Sequence, residues 1–309
     1  MNPSPAPHQL TAPRLQVGII SAGKVGTTLA AALAQVGHRV SHVVAPSEQS
    51  RARAKLRIPQ AALSTPQETA ANCELLVIAV PDREIAPLAS QLAPYLGPGK
   101  IVLHTAGSLG RAVLDPVALT GALTIAAHPA MTFAGIDADV DNLHGCPWGV
   151  TVGDELSRTV AELLVAELGG RPVFIDERQR GLYHAAMAHG SNGLGAVVVD
   201  AVELLAEAIG GDDYSDDQRR REAATLLSAL LHASLDNTLK WGARALTGPV
   251  TRDDVSTVAT HEQVIGQRNG EVVAAYRQLA LRIAEMSGAT GVLRHLEPYR
   301  QREDRPGAP

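Results

Sequence analysis

The chain has 309 residues, of which 45% are hydrophobic and 19% charged, and its formal net charge is -5 at pH 7. These values are typical of a globular protein of about two domains. The only dense basic run, residues 219–221, follows an acidic stretch, which indicates an exposed helix start and argues against a nucleic-acid-binding protein. The two cysteines, Cys73 and Cys146, match no metal-ligand spacing and no disulfide framework. We therefore expect a cytoplasmic protein without a bound metal.

The sequence has no pattern of an export signal or a membrane span. Residues 1–13 are rich in proline but lack the basic start and apolar core of a signal peptide, so we expect them to be disordered, like residues 301–309. The most apolar helical stretch, residues 194–209, is interrupted by three acidic residues, whereas a span needs about 20 apolar residues. The pattern therefore argues against insertion into a membrane.

The first half of the chain alternates short β-branched runs with longer stretches rich in Ala and Leu. This alternation predicts a parallel sheet covered by helices, and the nearly continuous apolar runs are typical of strands buried on both faces. The predicted strands cover residues 17–20, 38–44, 75–80, 101–104, 123–127, 148–152 and 173–175. The sequence therefore predicts an α/β, doubly wound Rossmann domain over residues 14–176.

The second half changes to long helical patterns, at residues 177–209, 216–246 and 261–287. A helix of roughly thirty residues is long for a globular protein, so the first of these is expected to form the spine of its domain. We predict an all-helical domain over residues 177–300 that binds substrate and forms a dimer.

A glycine-rich loop follows the first predicted strand and precedes an Ala-rich helix. Its residues are Ser21, Ala22, Gly23, Lys24, Val25 and Gly26. This is the dinucleotide-binding pattern G-x-G-x-x-G with serine in the first place. Gly23 and Gly26 meet the demands for close approach of pyrophosphate and for a free helix N-terminus. We assign all six residues to cofactor binding; an ordinary strand-to-helix turn is the alternative.

The end of the second strand distinguishes NAD from NADP, because a carboxylate there binds the ribose 2′-hydroxyl, whereas small or basic residues accept a 2′-phosphate. No acid follows Val44 directly, while Ser47, Arg51 and Arg53 lie close behind it. NADP is therefore favoured, with Ser47 and Arg51 near the phosphate. NAD stays open, because Glu48 is available for the hydroxyl and the arginines also fit an exposed helix face.

Polar residues follow the later strands, at the edge of the sheet where ligands collect in such folds. Val80, Pro81 and Asp82 end the third predicted strand and His104 ends the fourth; we assign these four to cofactor binding. His128 follows the fifth strand and is placed near the substrate. The alternative is that Asp82 belongs to a strand-ending turn and that both histidines are structural.

The first long helix carries His184, Ala188 and Asn192 at spacings of four, which places them along one face. Reduction of a carbonyl or an imine needs a group that protonates the developing charge, and histidine titrates in the useful range. His184 is therefore the candidate acid, and His128 and Asn192 are grouped with it as catalytic. The alternative is that the histidines pack between helices.

A Gly-Pro break interrupts the helical pattern near residue 248. Thr247, Gly248, Arg252 and Asp254 lie around it, and an arginine there suits a bidentate contact with a substrate carboxylate. These four are the candidate substrate-binding residues, with a plain loop between helices as the alternative.

Several of these segments together resemble an oxidoreductase family that joins a Rossmann-like domain to an all-helical domain of unknown function. The segments are residues 21–26, 104–105, 128–129, 183–192 and 246–249 with Asp254. The resemblance extends over about residues 14–280, and the family is distantly similar to ketopantoate reductase and to proteins like the C-terminal domain of 6-phosphogluconate dehydrogenase. It implies a homodimer that buries apolar faces of the helical domains.

Ketopantoate reductases have a lysine on the inter-domain helix as general acid and asparagines four and eight residues later. The resemblance places His184 at the lysine position and Asn192 at the second asparagine. Ala188 departs from the pattern at the first asparagine, and histidine removes a permanent cation. These departures leave both the proton donor and the substrate open.

The resemblance implies that NADPH reduces a small 2-oxo acid such as ketopantoate, with His184 donating the proton and Arg252 or Thr247 holding the carboxylate. The second hypothesis is a reductase that acts on a cyclic imine or on another hydroxy-acid substrate. A deazaflavin in place of the nicotinamide cofactor is also an open alternative. The third is a dinucleotide-binding sensor without catalysis, since a fold alone does not establish chemistry.

Overall fold

A computed structural model of the protein describes residues 14–210 and 214–300. The two ends predicted to be disordered, residues 1–13 and 301–309, lie outside the described residues. The strands, in chain order, are β1 (Gln16–Ile20), β2 (Arg39–Val44), β3 (Ala62–Leu63), β4 (Leu75–Ile78), β5 (Ile101–His104), β6 (Leu123–Pro129), β7 (Pro147–Val152) and β8 (Arg171–Phe174). The described part of the chain arranges them in one sheet in the order β3-β2-β1-β4-β5-β6-β7-β8.

Helices connect and follow these strands. They are α1 (Lys24–Gln35), α2 (Glu48–Arg57), α3 (Pro66–Ala71), α4 (Asp82–Leu92), α5 (Asp115–Ala118), α6 (Ala138–Asp141), α7 (Glu155–Glu167), α8 (Arg180–Ala188), α9 (Leu194–Ala208), α10 (Asp216–Trp241), α11 (Val255–Gly266), α12 (Gly270–Ser287) and α13 (Thr290–Leu296). The order of strands and helices confirms the predicted doubly wound α/β domain followed by a helical one.

The sheet is buried on both faces, as the continuous apolar runs predict. Within β4, Leu75 and Val77 join one hydrophobic core, and Leu76 and Ile78 join the other. Helices α1 and α7 contribute to the first core and α4 to the second. The central strands are thereby fixed, so their carboxyl ends form a rigid edge on which loops can carry functional side chains.

The sheet departs from the parallel prediction at one side. Strand β7 pairs antiparallel with β6, with His128 opposite Gly149, and β8 then runs parallel to β7. A continuous apolar run marks burial and not direction, which is why the sequence did not reveal the reversal. The short edge strand β3 was also not predicted, because two exposed residues give no pattern.

The helical half also differs from the prediction in detail. Helix α8 continues through a π-helical turn, His189–Gly193, into α9, so the predicted helix over residues 177–209 is interrupted. Helix α10 begins at a capping box on Ser215, in agreement with the expected exposed helix start. The single helix predicted over residues 261–287 is wrong, because Asn269 caps the start of α12 and separates it from α11.

The chain divides into two compact units, one up to Gly190 and one from Ser191 onward. The sequence placed its domain boundary after residue 176, where the strands end. The hydrophobic core of the second unit joins α11, α12 and α13 through Val258, Leu281 and Val292. None of the helices among the described residues combines the length and apolar character needed to cross a bilayer.

Candidate active site

The loop between β1 and α1 has the conformation that dinucleotide binding requires. Ser21 has φ 87°, a left-handed backbone that glycine adopts freely and serine rarely. Serine therefore makes the turn for which the pattern uses its first glycine. A Cβ at Gly26 would lie 2.0 Å from the Ser21 carbonyl oxygen, so only glycine allows the helix to pack this closely. A Cβ at Gly23 would have one neighbour within 4 Å, the Ser21 hydroxyl at 3.4 Å, so space is open there.

Helix α1 presents a free, positively polarised N-terminus. Gly23 is its N-cap, and among the described residues neither a capping side chain nor an acid in the first turn neutralises it. Unpaired N–H groups and the helix dipole favour an anion at this position. The side chain of Lys24 adds a cation and packs against Gly135. Together, residues 21–26 are suited to a pyrophosphate group.

The loop against which Lys24 packs is held by one buried carboxylate. Asp139 is 2% exposed and accepts the N–H groups of Ala134, Gly135 and Ile136 at 3.2, 2.6 and 3.3 Å. Sequence reasoning missed Asp139, because a helix of four residues, α6, is too short to give a periodic signal. Its three hydrogen bonds fix the surface beside the candidate cofactor loop.

The residues proposed for the 2′-phosphate lie at the start of α2, directly after β2. The Ser47 hydroxyl caps α2 by accepting the Ser50 N–H at 3.1 Å. Arg51 is exposed and donates to the carbonyl of the residue before Ser47, at 2.7 Å. Arg53 donates to the carbonyl of Ala22 in the candidate cofactor loop, at 2.8 Å. The structure thus places two arginines at the end of β2, one of them tied to the loop.

The segment after β4 begins α4, with Val80 half-buried, Pro81 at the N-cap and Asp82 in the first turn. The Ser108 hydroxyl donates to the Asp82 carboxylate. This bond joins the loop after β4 to the loop after β5. Asp82 is therefore engaged in linking two loops at the carboxyl edge of the sheet.

His104 differs from its predicted role, because its side chain is fully buried and both ring nitrogens are engaged by the backbone. Nε2 lies 2.9 Å from the Gly110 carbonyl oxygen, and Nδ1 accepts the Ala106 N–H at 3.2 Å. Burial lowers the pKa of His104 to about 4, so the ring is neutral near pH 7. The histidine holds the loop after β5 in place and leaves no nitrogen for a cofactor.

Three polar rings meet at the carboxyl ends of β5 and β6. His128 Nδ1 lies 2.8 Å from the Tyr183 hydroxyl, and the His128 and His184 rings are nearly perpendicular with centroids 6.4 Å apart. Gly107 lies between the histidines, since a Cβ there would be 2.6 Å from His184 Cδ2 and 3.1 Å from His128 Nε2. The structure therefore brings the predicted residues His128 and His184 together and adds Tyr183 to them.

Burial sets the charge of this cluster. Burial first, and then the nearby Arg180 guanidinium and His184, together lower the pKa of His128 to about 4. Burial also raises the pKa of the Tyr183 phenol. Near pH 7 both partners of the hydrogen bond are therefore neutral, and the phenol keeps its proton.

Arg180 supports the cluster from beneath, at 2% exposure. Its Nε donates to the Thr151 hydroxyl at 2.8 Å, and its Nη2 donates to the carbonyls of Ala126 and Gly149 at 3.0 and 3.1 Å. The guanidinium carbon lies 5.5 Å from the centre of the Tyr183 ring. Sequence reasoning missed Arg180, because an arginine at a helix start is ordinarily exposed.

The remaining candidates lie in the second unit. Asn192 is exposed within the π-helical turn, where the wider winding breaks the spacing of four that aligned it with His184. Asp254 caps α11 and accepts from the Thr257 N–H and from the hydroxyls of Thr257 and Ser256, which lower its pKa to about 2. A helix cap rather than a substrate ligand is the role of Asp254.

In the same loop, the Gly248 carbonyl accepts the Thr251 hydroxyl at 2.9 Å and the Arg252 N–H at 3.3 Å, whereas the side chains of Thr247 and Arg252 make no hydrogen bond among the described residues. Thr247 and Arg252 are exposed, and Gly248 has φ 108°. Their assignment to the substrate stays a prediction. Among residues 14–210 and 214–300, no group of three His, Cys, Asp or Glu side chains is arranged to hold a metal ion.

Solved structures of other proteins share this fold. An inferred NADP oxidoreductase from Bacteroides fragilis superposes with a TM-score of 0.70 at 20% identity, covering 88% of this chain and 98% of that one. Plasmodium falciparum pyrroline carboxylate reductase with NADP bound gives 0.57 at 13%, covering 88% and 98%. An Aspergillus terreus reductive aminase in complex with NADPH and ethyl levulinate gives 0.56 at 18%, covering 96% and 97%. At these identities the likeness concerns the fold.

Sequence comparison divides the chain in the same way. D-apionate oxidoisomerase of Cupriavidus necator is 38% identical over 81 residues, which are 26% of this chain and 29% of that protein's length. Residues 1–129 match the model of a Rossmann-like domain, and residues 146–283 match the domain of unknown function DUF2520. The two matches follow each other along the chain without overlap, the first on the strand-rich part and the second extending into the helical part.

Proposed function

We propose that the protein is an NADP(H)-dependent oxidoreductase that acts on a small carbonyl compound. The observation that carries this proposal is the pairing of two features on one sheet edge. The first is a turn at Ser21 with close packing at Gly26, and the second is the cluster of His128, Tyr183 and His184. In doubly wound sheets, ligands bind at the carboxyl ends of the strands, where both features lie.

The residues present fit a dinucleotide. Residues 21–26 and the start of α1 hold the pyrophosphate, and the open space at Gly23 admits it. Ser47 and Arg51 at the start of α2 favour the 2′-phosphate of NADP, while Glu48 leaves NAD as the second choice. When bound, NADPH supplies a hydride to the substrate. The NADP and NADPH in the named structural relatives support the same choice.

We propose a 2-oxo acid as the substrate class, with ketopantoate as the specific candidate. His128 and His184 flank Gly107 and offer ring nitrogens to a carbonyl oxygen. Thr247 and Arg252 are proposed to hold the carboxylate, since arginine binds such groups in a bidentate manner. The sugar-acid chemistry named for the Cupriavidus relative supports an acid substrate.

A cyclic imine is the second candidate. The observation in its favour is the neutral state of His128 and Tyr183, which imposes less repulsion on an iminium cation than a lysine would. The pyrroline carboxylate reductase and the reductive aminase with the same fold point to the same substrate class.

The test is to titrate the protein with NADPH and NADH by fluorescence and then add 2-oxo acids, beginning with ketopantoate, and cyclic imines. Oxidation is followed by the absorbance of the reduced nicotinamide. Oxidation with an oxo acid supports the first candidate, and oxidation with an imine only supports the second. Binding of NADPH without turnover on either class indicates a sensor, and a lack of binding refutes the proposal.

Two variants test the site within the same assay. His184→Ala should lower kcat on the order of 10²-fold while NADPH affinity is kept. His42→Gln is the matched control, since His42 lies in β2 and bonds only to Ser41 among the described residues. Equal activity of His184→Ala and the control would remove His184 from the mechanism.

We further propose a homodimer formed through α9 and α10. Their exposed apolar side chains Val199, Leu226, Leu230 and Leu239 are each more than half exposed, and such a surface favours a protein partner. Light scattering should give twice the chain mass, and Leu230→Glu should reduce it to the mass of one chain. Leu119→Glu, at an exposed leucine of the first unit, is the control that keeps the dimer.

A further inference from the structure

Arg180 is a buried cation without a matching anion. Three of its hydrogen bonds go to neutral oxygens, and its Nη1 has no hydrogen-bond partner among the described residues. A buried charge without an ionic partner is costly, so its presence calls for a reason beyond stability. Its guanidinium carbon lies 5.5 Å from the centre of the Tyr183 ring.

The Tyr183 hydroxyl is joined to Nδ1 of His128, whose other ring nitrogen, Nε2, lies beside Gly107. The hydroxyl lies 2.8 Å from Nδ1, and a phenol that keeps its proton can donate it there. Neutral His128 then carries its own proton on Nε2. Nε2 faces Gly107 and makes no hydrogen bond within the described residues, so it is free to donate to a ligand. The three groups therefore form a line from buried cation to open N–H.

We propose that Tyr183 is the proton source of the reaction, that His128 relays the proton to the substrate oxygen, and that Arg180 positions Tyr183 and stabilises its phenolate. The inference rests on the proposed function and deepens it, since sequence reasoning assigned the proton to His184. His128 is a catalytic residue in this scheme, and Arg180 is a positioning residue.

The step balances as follows in the direction of reduction. The carbonyl carbon gains a hydride from the reduced nicotinamide, and the π electron pair moves to the oxygen. That oxygen forms a bond to the Nε2 proton of His128, while Nδ1 takes the phenolic proton of Tyr183. The product is an alcohol, His128 is neutral again with its proton on Nδ1, and Tyr183 is a phenolate. A proton from solvent then binds Nε2 of His128 while the Nδ1 proton returns to the Tyr183 phenolate, which restores the starting state.

Electrostatics favours this route. A preorganised charge is most effective where opposite charge develops during the reaction, and Arg180 is placed to meet the phenolate. A relay through neutral His128 also avoids an imidazolium, which burial, Arg180 and His184 all oppose; Asp82 favours it weakly. Around Tyr183, Arg180 favours the phenolate, while burial and Cys146 oppose it. A phenol is a far stronger acid than the alcohol formed, so transfer runs toward the product.

The direct test is Tyr183→Phe, which keeps the ring and removes the hydroxyl. We expect its single-turnover rate to fall on the order of 10²-fold or more with NADPH affinity unchanged. In mixtures of H₂O and D₂O, the wild-type rate should vary with a curvature that reports two protons in flight, and the variant should lose that curvature. Tyr276→Phe is the matched control, since Tyr276 forms a similar pair with His261 at 3.0 Å in the second unit.

A second test needs no substrate. Removal of the cation in Arg180→Met should raise the pKa of His128 toward its ordinary value and raise that of Tyr183 further, whereas Arg180→Lys should retain most of the effect. Histidine proton resonances and tyrosinate absorbance report these values, with His128→Gln and Tyr183→Phe identifying the signals. Unchanged pKa values in a folded Arg180→Met protein would show that Arg180 does not stabilise the Tyr183 phenolate, which overturns its proposed role.

The variants distinguish a failure of the proton relay from a failure of the proposed reductase activity. A Tyr183→Phe protein with wild-type single-turnover rates and unchanged curvature overturns the relay, while turnover by the wild type upholds the reductase. If His184→Ala loses the single-turnover rate and Tyr183→Phe keeps it, His184 is the proton donor and the relay is overturned. If Arg180→Met fails to fold, the Tyr183→Phe arm decides alone.

Discussion

Gly23 and Gly26 of the candidate cofactor loop are expected to have different roles. Substituting each by alanine distinguishes these roles. Gly26→Ala should lower the free energy of unfolding by roughly 1–3 kcal/mol, because its Cβ would lie 2.0 Å from a backbone oxygen. Gly23→Ala has room within the protein and a φ of -71°, so it should fold as well as the wild type. Both should weaken NADPH binding about tenfold or more. Urea unfolding and fluorescence titration give the two quantities, and equal stability losses would contradict this division.

Buried His104 predicts a pH dependence of stability. Its pKa in the folded protein is about 4, below the ordinary value of about 6.5, so below pH 6.5 the unfolded chain binds a proton that the folded one refuses. The contribution of His104 to the free energy of unfolding is therefore fully present above pH 6.5. Roughly 3 kcal/mol of it is lost as the pH falls toward 4. His104→Gln should remove that part of the slope in urea titrations, while His128 contributes its own part to both proteins. Parallel slopes for the two proteins would refute the prediction.

At the scale of helices, one carboxylate joins the last three. Glu262 of α11 is 8% exposed and accepts from Arg277 of α12 and His295 of α13, both at 2.6 Å. Removing one partner of a buried ionic group leaves the others uncompensated. Glu262→Ala should therefore lower the free energy of unfolding by roughly 3 kcal/mol, measured by urea denaturation. Glu203→Ala, which breaks an exposed pair with Arg220, should cost much less.

Among the strands and helices, some features could be predicted from the sequence and others could not. Apolar runs located the central strands, because burial on both faces leaves a clear pattern. The reversal of β7 and the break at Asn269 were missed, since strand direction and a single capping residue leave no periodic trace. Such features depend on contacts between distant segments.

The candidate active site could likewise be predicted from the sequence only in part. The loop around Ser21 and the histidines at strand ends were found, because their place after a strand is visible in sequence. His104 and His128 look alike by that criterion, yet one is enclosed by backbone partners and the other faces Tyr183. Arg180 was missed because only folding shows that a helix-start arginine is buried. Position along the chain is predictable, while the partner of each side chain is not.

For the whole molecule, cofactor binding should appear as added stability. A ligand at about 100 times its Kd raises the free energy of unfolding by about 2.7 kcal/mol, provided that it binds the folded chain alone. NADPH should therefore raise Tm by several degrees, and NADH at the same concentration by less, because Arg51 and Ser47 stand where the 2′-phosphate is proposed.

Arg51→Ala isolates the contribution of that phosphate to the stability of the chain. The variant should lose most of the difference between the NADPH and NADH shifts, since the exposed guanidinium now bonds only to a carbonyl of its own turn among the described residues. Arg171→Ala removes an equal charge at the exposed start of β8 and should keep the difference, which controls for net charge. If NADH stabilises the wild type as strongly as NADPH does, the preference for NADP is wrong, and Glu48 becomes the residue to test for the 2′-hydroxyl of NAD.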